Sequence, residues 1–283
     1  MAHDLAISDV VSASLGLVEA SSVLSQLVFR DAERDFVGGV GETVRVRVPH
    51  VIEAKDGTGL PTEYSDVVDG AVPITLSAEA YNAVRLTDKE MTLDIYQYGA
   101  QVLQRQASGV AKFCEKAVAD VINTQVASAT DTIDPVNPLA AVAKAAAEFT
   151  RRELEMNGRV MVIGPELMEA FLTIPALQNA AAAGSDETLR NGEIGRVFGF
   201  RVFISPFVNG ATAFTRDAFA LACRAPRVSE GAGKSASQRH NGYSLRVVQD
   251  FDMTVRAEVS LMSTFVGAGV LDNRQSMSFG LAA

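Results

Sequence analysis

LDIYQYGAQVLQRQASGVAKFCEKAVADVINTQ, the run from Leu93 to Gln125, sets the architecture of this chain. Within it Leu93, Tyr96, Ala100, Leu103, Ala107, Val110, Cys114, Val118, Val121 and Gln125 recur at spacings of three and four, which places them on one face of a helix. At a rise of about 1.5 Å per residue the helix is about 50 Å long, enough to cross a whole domain as a spine. Gly109 is its one tolerated weak point.

Upstream, Leu5 to Phe36 carries apolar residues at Val11, Leu15, Val18, Val23, Leu24, Leu27 and Val28, interrupted by Gly16 and many serines. This predicts short helical pieces with the character of an arm. Gly38, Gly39 and Gly41 end that segment, and Val44, Val46 and Val48 then alternate with Thr43, Arg45 and Arg47 as in a half-exposed strand, with Pro49 at its edge. A turn-rich tip, AKDGTGLPTEY from Ala54 to Tyr64, leads to a second extended stretch through Val67, Val68, Val72, Ile74 and Leu76. The pair reads as a long hairpin with little core of its own, whose apolar face rests on something else, a neighbouring subunit being one candidate.

Downstream, Asn137 and Pro138 open a helix through Leu139, Val142, Ala146, Phe149 and Glu153, with Asn157 and Gly158 as its stop. Arg159 to Ile163 is a short apolar strand, and Gly164 and Pro165 open a helix filled by Glu166 to Leu172, the pattern of an α/β lobe. Ile194 to Val208 predicts a strand pair turning near Gly199, Asp217 to Arg224 a buried strand, and Ser229 to Tyr243 a Gly/Ser-rich polar loop. Leu245, Val247, Phe251, Met253, Val255, Ala257, Val259 and Leu261 then alternate with Arg246, Asp250, Asp252, Thr254, Arg256 and Glu258. This predicts one strand about three times the common length, which must bend, bulge or span two sheets. No repeat with a solenoid period is visible.

Composition bounds the chemistry. With 283 residues, 48% of them hydrophobic and 21% charged, the chain can bury a real core as one elaborated domain or two joined lobes. The net charge of -9 and a pI near 4.9 do not provide the basic field of a duplex-binding protein. Asp4 and Asp9 stand where a secretory signal would carry Lys or Arg, and no apolar run is long enough for a membrane span, so a soluble intracellular protein is expected. Cys114 and Cys223 read as reduced packing residues, Cys114 on the apolar stripe of the spine rather than as a nucleophile. His3, His50 and His240 are scattered and suggest no metal site.

Gly231 to Ser235, GAGKS, lacks the first glycine of a phosphate loop, its place being taken by Val228, and neither a strand nor a helix frames it. Val266 to Val270, VGAGV, reads as a turn or bulge. Asp250 and Asp252 lie on one strand face, where acid–base work is conceivable, but Arg246 and Arg256 beside them favour a solvated or interface charge ladder. Tryptophan is absent, no aromatic stacking set accompanies the arginines, and Arg outnumbers Lys 19 to 6. That excess suits bidentate pairing at subunit interfaces and follows equally well from base composition of the gene.

Four strings add a family resemblance: AVRLTDKEMTLDI (Ala83 to Ile95), VMVIGPELMEAFL (Val160 to Leu172), LRNGEIGRVFGFRVFISPFV (Leu189 to Val208) and GYSLRVVQDFD (Gly242 to Asp252). Their order, between an arm and hairpin and a returning long strand, resembles the major capsid proteins of tailed bacteriophages with the Hong Kong ninety-seven fold. The resemblance implies an α+β fold with an N-terminal arm at 1–39, an extended loop at 40–86, a peripheral domain at 87–130 with 244–283, and an axial domain at 131–243. It implies a non-enzymatic function: hexamers and pentamers closing into an icosahedral shell around double-stranded DNA, with no catalytic residue, cofactor or metal. Net negative charge suits a shell that must not bind its DNA tightly.

The partners implied are further copies of the chain, a separate scaffolding protein, a portal protein, a decoration protein and DNA enclosed without sequence-specific contacts, but no membrane. The location implied is the virion, after assembly in the host cytoplasm. Assembly contacts are expected at Arg30, Arg34, Arg45, Arg47, Lys55, Asp56, Gly57, Thr58, Gly59, Asp250, Asp252 and Arg256. The chain departs from the family pattern in having no long helical scaffold segment before the arm and no inserted domain. Lys55 is the only lysine of the extended loop, without a matched asparagine or glutamate, so no covalent cross-link is expected. The rival readings are an encapsulin-like compartment around a protein cargo and a small α/β enzyme with Ser229 to Tyr243 as a lid.

Overall fold

The computed structural model describes residues 7–30, 43–48, 70–87, 98–174, 193–228, 231, 234–240 and 243–282. Its axis is helix α3 (Tyr98–Ala127), 30 residues or about 45 Å long. Ala107, Val110, Ala111, Cys114, Val118, Ala119, Ile122 and Val126 are its buried face. The stripe continues past Val121 through Ile122 and Val126, so the buried face drifts around the helix and meets different partners at its two ends. Leu93 to Gln97 lie outside the described residues.

One end of the spine lies on a five-stranded sheet of β3 (Ala78–Thr87), β9 (Phe219–Arg224), β10 (Lys234–His240), β11 (Tyr243–Asp252) and β12 (Ala257–Val270). The order is β10-β11-β12-β3, and β9 pairs with the far end of β12. Leu245, Val247, Met262 and Val266 point at the helix and join its core cluster. The predicted single long strand is instead two: the alternation is cut at Met253 to Arg256, where the chain turns and returns antiparallel, Asp252 opposite Ala257. The polar loop predicted over Ser229 to Tyr243 is corrected as well, since Lys234–His240 forms β10, paired with β11 along its whole length. VGAGV is no turn: Gly267 and Gly269 sit within β12 opposite Ala222 and Ala220. Gly267 is required there, because a Cβ would lie 2.3 Å from the Thr75 carbonyl oxygen that crosses it.

The other end of the spine covers a six-stranded sheet in the order β4-β13-β8-β5-β7-β6. Its strands are β4 (Asp131–Ile133), β5 (Val160–Ile163), β6 (Glu193–Val197), β7 (Phe200–Ile204), β8 (Ala211–Phe214) and β13 (Ser276–Leu281). β5 is buried on both faces: Val160 and Val162 join the spine's cluster, while Met161 and Ile163 face α4 (Pro138–Arg151) and α5 (Pro165–Leu172) through Phe149, Leu167 and Phe171. β6 and β7 are joined at Phe198 and Gly199, both with positive φ (47° and 87°), the geometry that matches strand twist in a two-residue hairpin. β9 and β10 belong to the first sheet and β13 to the second, so the sheets exchange strands and a boundary at 243/244 does not separate them.

The N-terminal segment departs from the expectation of an arm without its own core. Helix α1 (Ile7–Ser21) buries Val11, Leu15 and Val18 in the spine's cluster, and α2 (Leu24–Leu27) adds Leu24. Phe29 then bonds β9 on both sides, its N–H to Phe219 and its carbonyl to the N–H of Leu221. The predicted hairpin is present as β1 (Thr43–Val48) antiparallel to β2 (Gly70–Thr75). Its base is anchored by Val46 and Ile74 on Ala220 and Ala222 of β9. β3, within the segment assigned to the extended loop, is an integral strand of the five-stranded sheet.

Candidate assembly surfaces

The polar chemistry of the spine helix differs between its two sides. On the inner side, Glu115 is buried and accepts hydrogen bonds from the backbone N–H groups of Val23, Leu24 and Ser25 (3.0, 2.8 and 2.8 Å) and from the Ser25 hydroxyl. It satisfies donors that the start of α2 leaves open, a capping role supplied from another helix. Gln106 donates to the carbonyls of Ser260 (2.8 Å) and Asn82 (3.2 Å) and accepts from the Ser260 hydroxyl, binding the spine to β12 and β3. Asn123 donates to the Phe207 carbonyl and accepts from the Asn209 N–H, both at 2.8 Å, binding the spine to the second sheet's β7–β8 loop. Three polar side chains on one helix thus tie three parts of the chain to a common axis.

The outer side is unlike this. Arg105, Lys112 and Lys116 are exposed and, among the described residues, make no ion pair or side-chain hydrogen bond. Phe113 is 40% exposed beside them, on the rim of a groove of about 430 Å³ between the spine and the strands at Ser77–Ala78 and Val266–Ala268. Ala117, Asp120 and Val121 complete the groove's helical wall.

The predicted contact residues that the structure describes fall into three groups. Arg30 faces its own chain, its guanidinium 5.0 Å from the centre of the Tyr243 ring. Burial pushes that tyrosine's phenol up to about 12. Arg45 is exposed on β1 opposite Pro73, and Arg47 is opposite Ala71 in the backbone register. Arg34 and the tip residues Lys55 to Gly59 lie outside the described residues.

The third group forms the β11–β12 turn. Asp252 accepts from the Thr254 N–H at 2.8 Å, and the Thr254 hydroxyl with that N–H holds its carboxyl below the usual aspartate range. Asp250 is exposed and accepts from the adjacent Phe251 N–H, and Arg256 closes the turn with φ of 50°. Among the described residues Asp250 makes no ion pair with Arg246 within the subunit. Arg246 instead donates to the Ser263 hydroxyl and the Arg227 carbonyl and stands 4.0 Å from Glu79. Alternation placed Phe251, Met253 and Val255 on the core face, yet they project from the turn 48%, 84% and 42% exposed. Three neighbouring apolar side chains thus stand on the surface at the tip of this turn.

The features raised for catalysis are dispersed. Cys114 and Cys223 are buried packing residues, His240 lies on β10, and no group of three His, Cys, Asp or Glu among the described residues is arranged to hold a metal. Lys234 of GAGKS begins β10, so the lid expected from this segment is a sheet strand over Lys234–His240. Among the described residues no helix is long and apolar enough to cross a membrane.

Comparison with known proteins supplies the context for these surfaces. A family described as phage capsid protein matches residues 72–269, most of the chain. No curated protein sequence matches. A structure from Mycobacterium phage Che8 is similar over 91% of this chain and 90% of its own, at 18% identity and a TM-score of 0.58. The capsid structure of cyanophage P-SCSP1u is similar over 86% and 84% of the two chains, at 13% identity and a TM-score of 0.58. The capsid of an empty GTA particle is similar over 90% and 91%, at 13% identity and a TM-score of 0.53. The arrangement of spine, two sheets and returning β12 is therefore the Hong Kong ninety-seven-like capsid fold, and the chain belongs to the phage capsid protein family as a structural major capsid protein.

Proposed function

We propose that copies of this chain assemble through hexamers and pentamers into an icosahedral shell that encloses the double-stranded DNA of a tailed phage. The chain acts as a structural subunit without catalysis. Assembly takes place in the host cytoplasm with a separate scaffolding protein, around a portal, and the finished shell accepts a decoration protein. The observation that carries this reading is the β11–β12 turn, where three apolar side chains are left between 42% and 84% exposed on an otherwise well-packed subunit. Head-to-tail contacts between unlike surfaces close into rings, as capsomers require. The acidic balance of the chain, net -9, supports enclosure of DNA over adhesion to it.

The domain reading stays within this proposal: residues 1–39 as arm, 40–86 as extended loop, 87–130 with 244–283 as peripheral and 131–243 as axial domain. Within it Arg45, Arg47 and Lys55 to Gly59 are lateral contacts of the extended loop, and Arg30 and Arg34 are contacts of the arm. Deleting Lys55 to Gly59 tests the loop's role. The variant is expected to remain soluble with the parent's melting temperature and to sediment as subunits or capsomers. Normal shells from the deletion would remove the interface role of the loop tip.

A further inference from the structure

The exposed charge on the first two thirds of the spine helix is of one sign. From Tyr98 to Ala119 the only acid is Glu115, which is buried and bonded to the start of α2, whereas Arg105, Lys112 and Lys116 all stand on the surface. Positions 105, 109, 112 and 116 follow one another at spacings of three and four, so they form one line along the helix. That line runs about 16 Å at a rise of 1.5 Å per residue. Gly109 falls between Arg105 and Lys112 and leaves a notch between the two cations. A hollow of about 520 Å³ opens there, lined by Gln104, Arg105, Ser108, Gly109 and Lys112.

The lining restricts the ligand. Its side chains are two cations, a hydroxyl and a carboxamide, with no acid and no apolar group among them, so it favours anionic oxygen. A folded protein partner fits poorly, because a stable protein interface has an apolar core with its charges at the rim, and this hollow has no apolar lining. Phosphates, in contrast, are held by such a set of Arg, Lys, Ser and Gln side chains. Duplex DNA carries one charge per about 1.7 Å of its axis, so a line of about 16 Å faces about ten phosphates and meets three of them in any register. No aromatic side chain lines the hollow to stack on a base, and contacts of this kind position a duplex without reading its sequence.

We propose that Arg105, Lys112 and Lys116 form the surface through which each subunit touches the phosphates of the enclosed duplex DNA. This contact rests on the genome-enclosing function proposed above and adds to it the part of the subunit that meets the genome. Three cations on a chain of net charge -9 make a contact that is weak and reversed by salt, so the shell meets its DNA without adhering to it.

The test uses the full chain and a fluorescently labelled duplex, with binding read by anisotropy. Three phosphate contacts predict a slope of about -2.7 for log K against log salt, an affinity loss of about fortyfold between about 50 and 200 mM. The triple variant Arg105→Gln/Lys112→Gln/Lys116→Gln is expected to keep the parent's melting temperature, to bind at least about tenfold more weakly at about 50 mM salt and to lose most of that slope. Two duplexes of unrelated sequence should bind the parent alike. Acetylation of lysines at limiting reagent gives an independent reading: DNA should protect Lys112 and Lys116 but not Lys144 of α4, which packs on the six-stranded sheet. No binding by the parent at low salt, undiminished binding by the triple variant, or Lys112 and Lys116 left unprotected would each overturn the contact. A triple variant that binds DNA like the parent and no longer forms shells would overturn it in favour of acids on a neighbouring subunit. Shell formation is scored separately: a parent that forms none sinks the proposed function, while anisotropy and acetylation still decide the contact.

Discussion

The inner and outer sides of the spine helix carry equally polar side chains put to opposite uses. Glu115, Gln106 and Asn123 on the inner side are each bonded to another element of the chain, whereas Arg105, Lys112 and Lys116 on the outer side have no ion pair or side-chain hydrogen bond among the described residues. Removing one partner of a satisfied buried group leaves the other with its full desolvation cost, while an exposed charge exchanges one hydration shell for another. The difference teaches that the polar ties that hold the subunit together lie on one line of the helix and its exposed charges on another, so single substitutions separate buried from exposed polar chemistry.

Ala107→Arg attacks the inner line most severely, forcing a charge into the fully buried contact of spine and sheet. A loss of more than about 4 kcal/mol is expected, enough to unfold the subunit, and an unchanged melting temperature would show that this face is not buried. Glu115→Ala is next. It leaves three backbone N–H groups and the Ser25 hydroxyl without their acceptor and should cost about 3 kcal/mol in urea unfolding, with α1 and α2 the first segments to gain hydrogen exchange.

Alkaline titration probes the same core through Tyr243. Its folded phenol lies at about 12, above the ordinary value near 10, so the folded chain holds its proton where the unfolded chain has lost it. That contribution, about 2 kcal/mol, is fully present below pH 10 and is lost as pH rises through 12; Tyr243→Phe should flatten this part of the stability profile. The smallest effect on stability belongs to the outer line: Lys112→Glu should shift unfolding by no more than about 0.5 kcal/mol. A large stability loss there would break the comparison.

Much of this organisation was legible from residue periodicity. The spine, α4, α5 and the β6–β7 hairpin follow from apolar spacing and from Asn137, Pro138, Pro165 and Gly199. The β11–β12 turn was not legible because Met253 and Val255 continue the apolar alternation straight through it, with no Gly, Pro or Asn to mark the break, and Arg256 takes the left-handed conformation instead. β10 was hidden because KSASQRH has no apolar face; pairing with β11 alone makes it a strand. The role of Gly267 depends on the approach of Thr75 from a distant segment, and Glu115 looks like a solvent-facing acid until α2 is set over it. Of the surface, Asp250, Asp252 and Arg256 could be named from charge pattern, but the apolar knob between them could not, since exposure there is decided by the turn.

The most direct test of the account is negative-stain electron microscopy of the purified protein, with light scattering on the same sample and, if only subunits appear, after addition of the scaffolding protein proposed above. Closed shells or capsomer rings built from this single chain are predicted, with nucleic acid as the cargo of shells recovered from infection. Monomers or small discrete oligomers under every condition would contradict the assembly proposed here, and shells filled only with a protein cargo would contradict the genome-enclosing role.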